Sequence, residues 1–123
     1  MARRKRERMG NVEDCIFCKI ASGQMGVPFV YEDENVVAFN DINPQAPVHT
    51  LIVPKTHFEN LNDGPCEDVL GRLFGAVSTV AQIQGVDRDG YRIIQNNGPA
   101  AGQTVHHMHI HLLGGKQLGE GLV

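Results

Sequence analysis

The stretch QTVHHMHIHLLGG, residues 103–115, places four of the six histidines of the chain within six positions. From His107 to Leu112, histidine alternates with an apolar residue, which is the period of a β-strand whose successive side chains point to opposite faces. The pattern predicts a strand with His107, His109 and His111 on one face. The apolar residues of the other face, which we expect in the core, are Met108, Ile110 and Leu112.

Three imidazoles on one strand face suit two kinds of chemistry. Imidazole is a common metal ligand, and alternate strand positions can converge on one ion. A nucleophilic histidine flanked by two hydrogen-bond donors would instead serve phosphate chemistry. The periodicity by itself does not separate a metal site from a phosphate site.

The composition describes one globular domain. The chain has 123 residues, of which 41% are hydrophobic and 20% are charged, and this is enough for a single core. No apolar run approaches the roughly 20 residues that span a bilayer. The N-terminus also lacks the apolar segment of a secretory signal. We therefore expect a cytoplasmic protein without membrane contact.

Basic residues are concentrated at the N-terminus. Five of the eleven lie within residues 1–12, which we expect to be a disordered, solvated tail, while residues 13–123 form the domain. A nucleic-acid arm or a sorting signal is the alternative for this tail. Without it, six basic residues stand against thirteen acidic ones, a formal charge of −7. The domain thus lacks the basic face of nucleic-acid-binding proteins, and we expect no such partner.

The remaining sequence alternates strands with two helices. Strands are predicted over residues 29–32, 36–41, 49–53 and 91–96, and helices over residues 14–23, capped by Asp14, and 66–84. Neighbouring strands lie close enough in sequence for antiparallel pairing. We therefore predict an α+β fold, an antiparallel meander sheet with one long and one short helix, both on one face of the sheet.

Three cysteines in a reducing compartment argue against a disulfide framework. Cys15 and Cys18 form a C-x-x-C pair at the head of the domain. Such a pair suits a redox dithiol, half of a zinc site, or two small buried residues. Cys66 stands alone near the start of the long helix, where we expect a packing role.

Several separated motifs resemble one known family. The pattern His-x-His-x-His-x-x, with x apolar, at residues 107–113 resembles the histidine triad (HIT) superfamily of nucleotide hydrolases and transferases. The flanking motifs resemble its histidine triad nucleotide-binding branch; they are DINPQAPVH at 41–49, IVPKTH at 52–57, GQTV at 102–105 and LGG at 113–115. The resemblance spans about residues 14–116, nearly the whole domain.

The resemblance implies a purine nucleoside phosphoramidate hydrolase that requires no cofactor for catalysis. His109 would attack the α-phosphorus and form a covalent nucleotidyl-histidine. Around it, the resemblance places His107, His111 and His49 at the phosphate, and Thr104 near the leaving group in place of the usual serine. Alternative substrates are dinucleoside polyphosphates or aminoacyl-adenylates. An alternative of another class is a nucleotide- or zinc-binding regulatory protein with little turnover.

The same resemblance implies a purine nucleotide as ligand. It assigns the nucleotide site to Ile16, Phe17, Phe39, Asp41, Ile42, Asn96, Gln103, Thr104, Val105, His109 and His111. Asp41 would accept hydrogen bonds from the ribose hydroxyls, and the apolar members would surround the base. His106 is expected to point away from His107, hydrogen-bonded near the core or an interface.

Some relatives in the family hold a structural zinc ion. The resemblance assigns its ligands to Cys15, Cys18, His57 and His107, two thiolates and two imidazoles that suit tetrahedral zinc. This role competes with a phosphate role for His107, and other members of the branch need no metal. The resemblance also implies a homodimer in which one sheet continues across the two-fold axis.

Overall fold

The computed structural model describes residues 14–65 and 67–121. In chain order the elements are α1 (Ile16–Ala21), β1 (Tyr31–Glu32), β2 (Val36–Asn40), β3 (Val48–Pro54), α2 (Glu67–Ile83), β4 (Tyr91–Ile94) and β5 (Ile110–Gly114), with short 3₁₀ helices at Leu61–Asp63 and Pro99–Ala101. The predicted tail and the predicted role of Cys66 lie outside the described residues. Within the described ranges, no helix has the length and apolar character needed to cross a membrane.

The five strands form one sheet in the order β1-β2-β3-β5-β4, and every neighbouring pair is antiparallel. The predicted antiparallel α+β fold is confirmed. Strands β1 to β3 follow one another as a meander, whereas the chain then passes through α2 and returns so that β5 lies between β3 and β4. The histidine-rich stretch therefore leads into the interior of the sheet.

The two helices cover opposite faces of the sheet. The buried cluster under α2 includes Leu73, Val77, Val80, Ile52 and Leu112. The buried cluster under α1 includes Phe17, Ile20, Val37, Phe39 and Leu51. The prediction that both helices lie on one face is wrong. Strands β2 and β3 carry apolar side chains on both faces, so each face needs a cover of its own.

The apolar half of the histidine-rich stretch behaves as predicted. Met108, Ile110 and Leu112 are all 0% exposed and belong to the cluster under α2. Strand β5, however, begins at Ile110 rather than at His107. Before it, the backbone N–H of Met108 donates to the Phe58 carbonyl at 2.8 Å instead of to a neighbouring strand. The side chains nonetheless alternate back to His107, because Met108 lies in the cluster under α2 whereas the His107 ring contacts the two cysteines of α1 on the other face.

Helix α1 begins one residue later than predicted. Its N-cap is Cys15 rather than Asp14, because the Cys15 Sγ accepts the backbone N–H of Cys18 at 3.3 Å. Both cysteines are buried, at 8% and 3% exposure. The first turn of α1 thus holds two thiols under the sheet, on the face that also carries the odd-numbered histidines of β3 and β5.

Candidate active site and metal centre

His109 lies directly before β5, with its ring against α1. Its Nδ1 is 2.7 Å from the carbonyl oxygen of His107, and since that oxygen can only accept, Nδ1 carries the proton. A neutral imidazole has one N–H, so Nε2 keeps an unprotonated lone pair. The Phe17 ring packs edge-on against the His109 ring, with the centroids 5.0 Å apart. This arrangement leaves Nε2 as the ring atom that could act as a nucleophile.

Burial keeps His109 neutral. The residue is 9% exposed. Desolvation lowers the pKa of His109 below its ordinary value, although the hydrogen bond to the His107 carbonyl and the charge of Asp41 act in the opposite direction. At neutral pH the imidazole is therefore unprotonated and able to act as a nucleophile.

His49 and His111 share a hydrogen bond beside His109. The backbone N–H of Gln45 donates to His49 Nδ1 at 3.0 Å, which places the proton of neutral His49 on Nε2. That Nε2 donates to His111 Nδ1 at 2.9 Å, so the proton of His111 lies on its own Nε2. Desolvation, followed by the nearby His109 and His49, lowers the pKa of His111 to about 4. His111 is thereby a neutral donor rather than a cation.

Asp41 lies at the edge of this pair. Its Oδ1 accepts the backbone N–H of Asn43 at 2.8 Å, and its Oδ2 lies 3.5 Å from His49 Nε2. The ligand atoms of Asp41, His49 and His111 lie within 4.8 Å of one another, close enough to bracket a metal ion. A His49 Nε2 that bears a proton has no lone pair for a metal ion. The hydrogen bonds therefore favour hydrogen bonding to a ligand over metal coordination for these three residues.

A second group consists of four candidate ligands for one metal ion and is called the metal cluster; its members are Cys15, Cys18, His57 and His107. The fully buried His107 donates its Nε2–H to the carbonyl of Pro54 at 2.8 Å, which leaves the Nδ1 lone pair facing the cluster. Around this Nδ1 lie Cys15 Sγ at 3.3 Å, Cys18 Sγ at 3.5 Å and His57 Nδ1 at 3.1 Å. Burial lowers the pKa of His107 to about 4, so the ring is neutral and can act as a ligand.

The cluster has the dimensions of a tetrahedral zinc site. Zinc bonds of about 2.3 Å to sulfur and about 2.0–2.1 Å to nitrogen place ligand nitrogen and sulfur atoms about 3.6 Å apart, and two nitrogens about 3.3–3.4 Å apart. The protein has nitrogen–sulfur separations of 3.2–3.5 Å and a nitrogen–nitrogen separation of 3.1 Å, slightly inside those values. Four protein ligands would complete the coordination shell. The residues therefore fit a structural zinc, which when bound supplies a cross-link between three chain segments.

The structure divides the predicted triad between two sites. His109 and His111 lie with His49. The ring centroid of His111 is 5.0 Å from that of His109 and 5.2 Å from that of His49. His107 instead directs one nitrogen to Pro54 and the other to the metal cluster. The predicted role of His107 as a phosphate donor therefore conflicts with its position, because both of its ring nitrogens are already engaged. Its contribution to the site is the carbonyl oxygen that orients His109.

The residues predicted to hold the base do not all pack together. Phe17 and Phe39 are buried and make an edge-to-face contact at 5.7 Å, and Val105 packs against the same cluster. Ile42 is 91% exposed, and Ile16 is 39% exposed. The two phenylalanines therefore form the preformed apolar wall, while the two isoleucines lie at the surface.

Gln103 holds a loop together. Its amide nitrogen donates to the carbonyls of Glu59 and Val105, and its amide oxygen accepts from the Asn60 side chain and the Gly98 backbone, at 2.7–3.1 Å. These four bonds use both amide hydrogens and both lone pairs of the oxygen. Its side chain thus supports the approach to the histidines rather than presenting a group to a ligand.

A cavity of about 350 Å³ lies beside the metal cluster. It is lined by Asp14, Cys15, Ile16, His57, Glu59, Thr104, Val105 and His106. Thr104, the predicted leaving-group residue, is thereby next to the cysteine–histidine group. Asn96 lies half-buried just after β4. His106 is exposed and pairs with Glu59 at 2.8 Å, so it is hydrogen-bonded as expected but not in the core.

Sequence reasoning missed the backbone groups that assign the protons. The Gln45 N–H and the carbonyls of Pro54 and His107 decide which nitrogen of each histidine is protonated. Every residue except proline has the same backbone donor and acceptor, so no residue type marks these positions. The side chain of Asn60, which donates to Gln103, was also not predicted, because a single asparagine in a loop belongs to no sequence motif.

Known proteins share this sequence and fold. The family model of the HIT domain matches residues 23–118. The chain is 43% identical over 109 residues to a protein of Escherichia coli K12 named purine nucleoside phosphoramidase, with 87% of this chain and 92% of the relative covered. It is 45% identical over 107 residues to a 14 kDa zinc-binding protein of Zea mays, with 84% and 83% covered.

Solved structures agree with the sequence relatives. A HIT family hydrolase from Clostridium thermocellum has a TM-score of 0.87 and 45% sequence identity, with 92% of this chain and 100% of that chain covered. Both the sequence and the fold match over nearly the whole domain. The chain therefore belongs to the HIT domain family, as the resemblance of its histidine motifs implied.

Proposed function

We propose that this protein is a hydrolase that cleaves purine nucleoside phosphoramidates to a nucleoside 5′-monophosphate and an amine. The observation that carries the proposal is the bond from His109 Nδ1–H to the His107 carbonyl at 2.7 Å, because it leaves Nε2 unprotonated. The similarity to the Escherichia coli protein named purine nucleoside phosphoramidase supports the choice of substrate.

The first step forms a covalent intermediate. His109 Nε2 attacks the α-phosphorus, a bond forms between this nitrogen and phosphorus, and the bond from phosphorus to the amine breaks. The amine departs with the bonding electron pair and takes a proton from solvent, for which Thr104 is our candidate relay because its hydroxyl donates one proton to the amine while it accepts another from water. The nucleotidylated His109 is an imidazolium. The His107 carbonyl stabilises its positive charge through the hydrogen bond from Nδ1.

The second step releases the nucleotide. Water attacks the same phosphorus and gives up one proton, which Thr104 relays to solvent, while the bond to His109 Nε2 breaks and the imidazole returns to its neutral form with Nδ1 protonated. In both steps negative charge grows on the non-bridging phosphate oxygens, and the His111 Nε2–H is the donor we assign to them. His49 supports His111 by donating to its Nδ1 at 2.9 Å. A well-placed donor of this kind contributes on the order of 100-fold to the rate.

The remaining residues bind and orient the nucleotide. We assign the base to the wall formed by Phe17 and Phe39, which are 6% and 4% exposed. We assign the ribose hydroxyls to Asp41, whose carboxylate lies at the edge of the histidine pair. We assign zinc to the metal cluster, which the name of the Zea mays zinc-binding relative supports. Its role is assigned as structural because four protein ligands would fill the coordination shell.

We also propose that the protein is a homodimer. Strand β4 is an edge of the sheet and leaves Tyr91 and Ile93 at 36% and 39% exposure, and α2 leaves Phe74 at 48% exposure. Apolar side chains beside an unpaired strand edge favour pairing with a second copy. Sedimentation equilibrium should give twice the chain mass of 13.5 kDa, and Ile93→Lys should reduce it to one chain. A monomeric unaltered protein would rule the dimer out.

The experiment that tests the activity measures amine release from adenosine 5′-phosphoramidate. The unaltered protein should turn over, and His109→Ala should lose at least about a thousandfold in kcat/KM because no other group supplies the nucleophile. Rapid quenching followed by mass spectrometry should detect one nucleotidyl group on a peptide that contains His109. The matched control is His106→Ala, since His106 is exposed and pairs with Glu59 rather than with the site.

Two results would contradict the proposal. Turnover of a dinucleoside polyphosphate or an aminoacyl-adenylate without turnover of the phosphoramidate would assign the same nucleophile to a different substrate. Binding of a purine nucleoside monophosphate without turnover of any of these compounds would identify a regulatory nucleotide-binding protein.

A further inference from the structure

We propose that the metal cluster positions the nucleophile, because its ligand His107 carries both the Nδ1 that faces the metal and the carbonyl oxygen that holds His109. The kinetic part of this inference rests on the proposed function. The structural part does not, since it concerns the protonation and orientation of the His109 ring.

The segment that carries the nucleophile lies outside the sheet ladder. Strand β5 begins at Ile110, so His107 and His109 belong to an irregular approach. Its ties include the Met108 N–H to the Phe58 carbonyl and the His107 Nε2–H to the Pro54 carbonyl, both at 2.8 Å. A backbone without a ladder depends on such individual contacts for its position. Metal ligation at His107 Nδ1 would add a fixed point at the residue that orients the nucleophile.

The first link from the cluster to the nucleophile is the backbone of His107. Its ring is held at both nitrogens, one by Pro54 and one by the cluster atoms at 3.1–3.5 Å. Two residues along the chain, His109 donates to the His107 carbonyl at 2.7 Å. A rotation of the His107 backbone would therefore release the His109 Nδ1–H and remove the preference for a lone pair on Nε2.

The second link is the side chain of Phe17. This residue lies between Cys15 and Cys18 in the first turn of α1, so the two thiol ligands fix its place. Its ring makes edge-to-face contacts with His109 at 5.0 Å and with His107 at 6.0 Å. The cysteine pair thus holds one wall of the nucleophile, while His107 holds its hydrogen bond.

The inference distinguishes a positioning site from a purely structural one. Loss of the metal should loosen both links without removing any group that contacts the substrate. Changes to groups that orient a reactive site typically cost about tenfold to a hundredfold. We therefore expect kcat to fall by about that factor in the metal-free protein. In the same protein the His109 Nδ1–H should exchange faster with water.

The experiment compares the unaltered protein, His57→Ala and His106→Ala, each refolded with zinc. His57 is a ligand distant in sequence from His109, whereas His106 adjoins His107 and lies outside the cluster. The readouts are bound zinc, the ¹⁵N and ¹H NMR signals of the His109 ring, and kcat with KM. His57→Ala should lose zinc, show a mixture of His109 tautomers and lose about tenfold to a hundredfold in kcat. His106→Ala should match the unaltered protein in all three.

Two further samples keep the test decisive if His57→Ala does not fold. The cavity of about 350 Å³ reaches Cys15 and His57, so a chelator can remove zinc from the folded, unaltered protein, and circular dichroism reports whether it stays folded. His57→Cys keeps four ligands and should keep zinc, the His109 signal and kcat.

The inference is overturned if the refolded protein binds no zinc. It is overturned equally if zinc is lost from a folded sample while the His109 signals and kcat stay unchanged, or if His57→Cys binds zinc but loses the His109 signal. An unaltered protein that shows no turnover, yet has metal-dependent His109 signals, would reject the proposed function and support the positioning role.

Discussion

Two groups of histidines lie on either side of one short segment and have opposite uses for their lone pairs. In the metal cluster, His107 gives its proton to the Pro54 carbonyl and turns its lone pair towards two thiols and His57. In the other group, the histidine group of His49, His109 and His111, His49 donates its proton to His111, and His109 keeps on Nε2 the lone pair that we propose attacks the substrate. In the proposed function, the same type of side chain thus binds a metal or attacks phosphorus according to what its other nitrogen contacts.

The backbone joins these two groups. The ring of His107 belongs to the metal cluster, whereas its carbonyl oxygen belongs to the histidine group. Substitutions in the histidine group should therefore leave zinc binding intact. Substitutions in the metal cluster should affect catalysis only through His107. This expectation leads to three predictions, in order of decreasing effect.

Loss of a thiolate should affect the metal cluster most. Removal of an outer partner of a metal ligand typically weakens metal binding by about 10–100-fold, and Cys18→Ala removes a ligand itself, so we expect at least about a hundredfold weaker zinc binding. At a free zinc concentration about 100 times the Kd of the unaltered protein, bound zinc stabilises the fold by about 2.7 kcal/mol, and a hundredfold weaker affinity leaves about 0.4 kcal/mol of this, a loss of about 2.3 kcal/mol. Competition with a chromophoric chelator and urea unfolding with and without zinc measure the two effects.

The control for this variant is His49→Ala, which removes an imidazole from the histidine group. Its zinc affinity should equal that of the unaltered protein. If Cys18→Ala were equally destabilised in zinc-free buffer, the thiol would act by packing and the cluster would not be a metal site.

Loss of the phosphate donor should affect rate rather than metal. His111→Ala should lower kcat for phosphoramidate hydrolysis on the order of 100-fold, because a donor to the developing oxyanion is removed. Zinc content should stay at that of the unaltered protein, since the hydrogen bond and the ring contacts of His111 are with His49 and His109. Steady-state kinetics and metal analysis of the same sample test both parts, and a loss of zinc would show that the two groups are not separate.

The smallest effect concerns pH. The pKa of His111 is about 4 in the folded protein against an ordinary value of 6.5. Between these values the unfolded chain binds a proton that the folded chain does not, so His111 makes stability fall as pH decreases from 6.5 towards 4. Urea unfolding of the unaltered protein and of His111→Asn should show a shallower decline for the variant. Parallel declines would mean that folding does not lower the pKa of His111. Loss of metal ligation in acid is common to both proteins and cancels in the difference.

Much of the fold and of the site follows from local patterns. The alternation around Met108, Ile110 and Leu112 predicts the buried face of β5 because side chains of a strand point to alternate sides. The C-x-x-C pair by itself leaves a zinc site, a redox dithiol and buried packing open, and only the family resemblance adds His57 and His107 to it; the structure brings these four residues together. The antiparallel sheet follows from the short spacing between strands.

Tertiary structure alone decided how the imidazoles are divided. Alternation predicts one shared face for His107, His109 and His111, and all three lie on the face that α1 covers. His107 is separated from the other two because the Pro54 carbonyl and the cysteines of α1 engage both of its ring nitrogens. The placement of the helices on opposite faces depends likewise on contacts between distant segments. Residue types and their order thus determined which groups could do chemistry here. Long-range backbone contacts, which every residue can make equally, decided which nitrogen of each histidine holds a proton and hence what each histidine does.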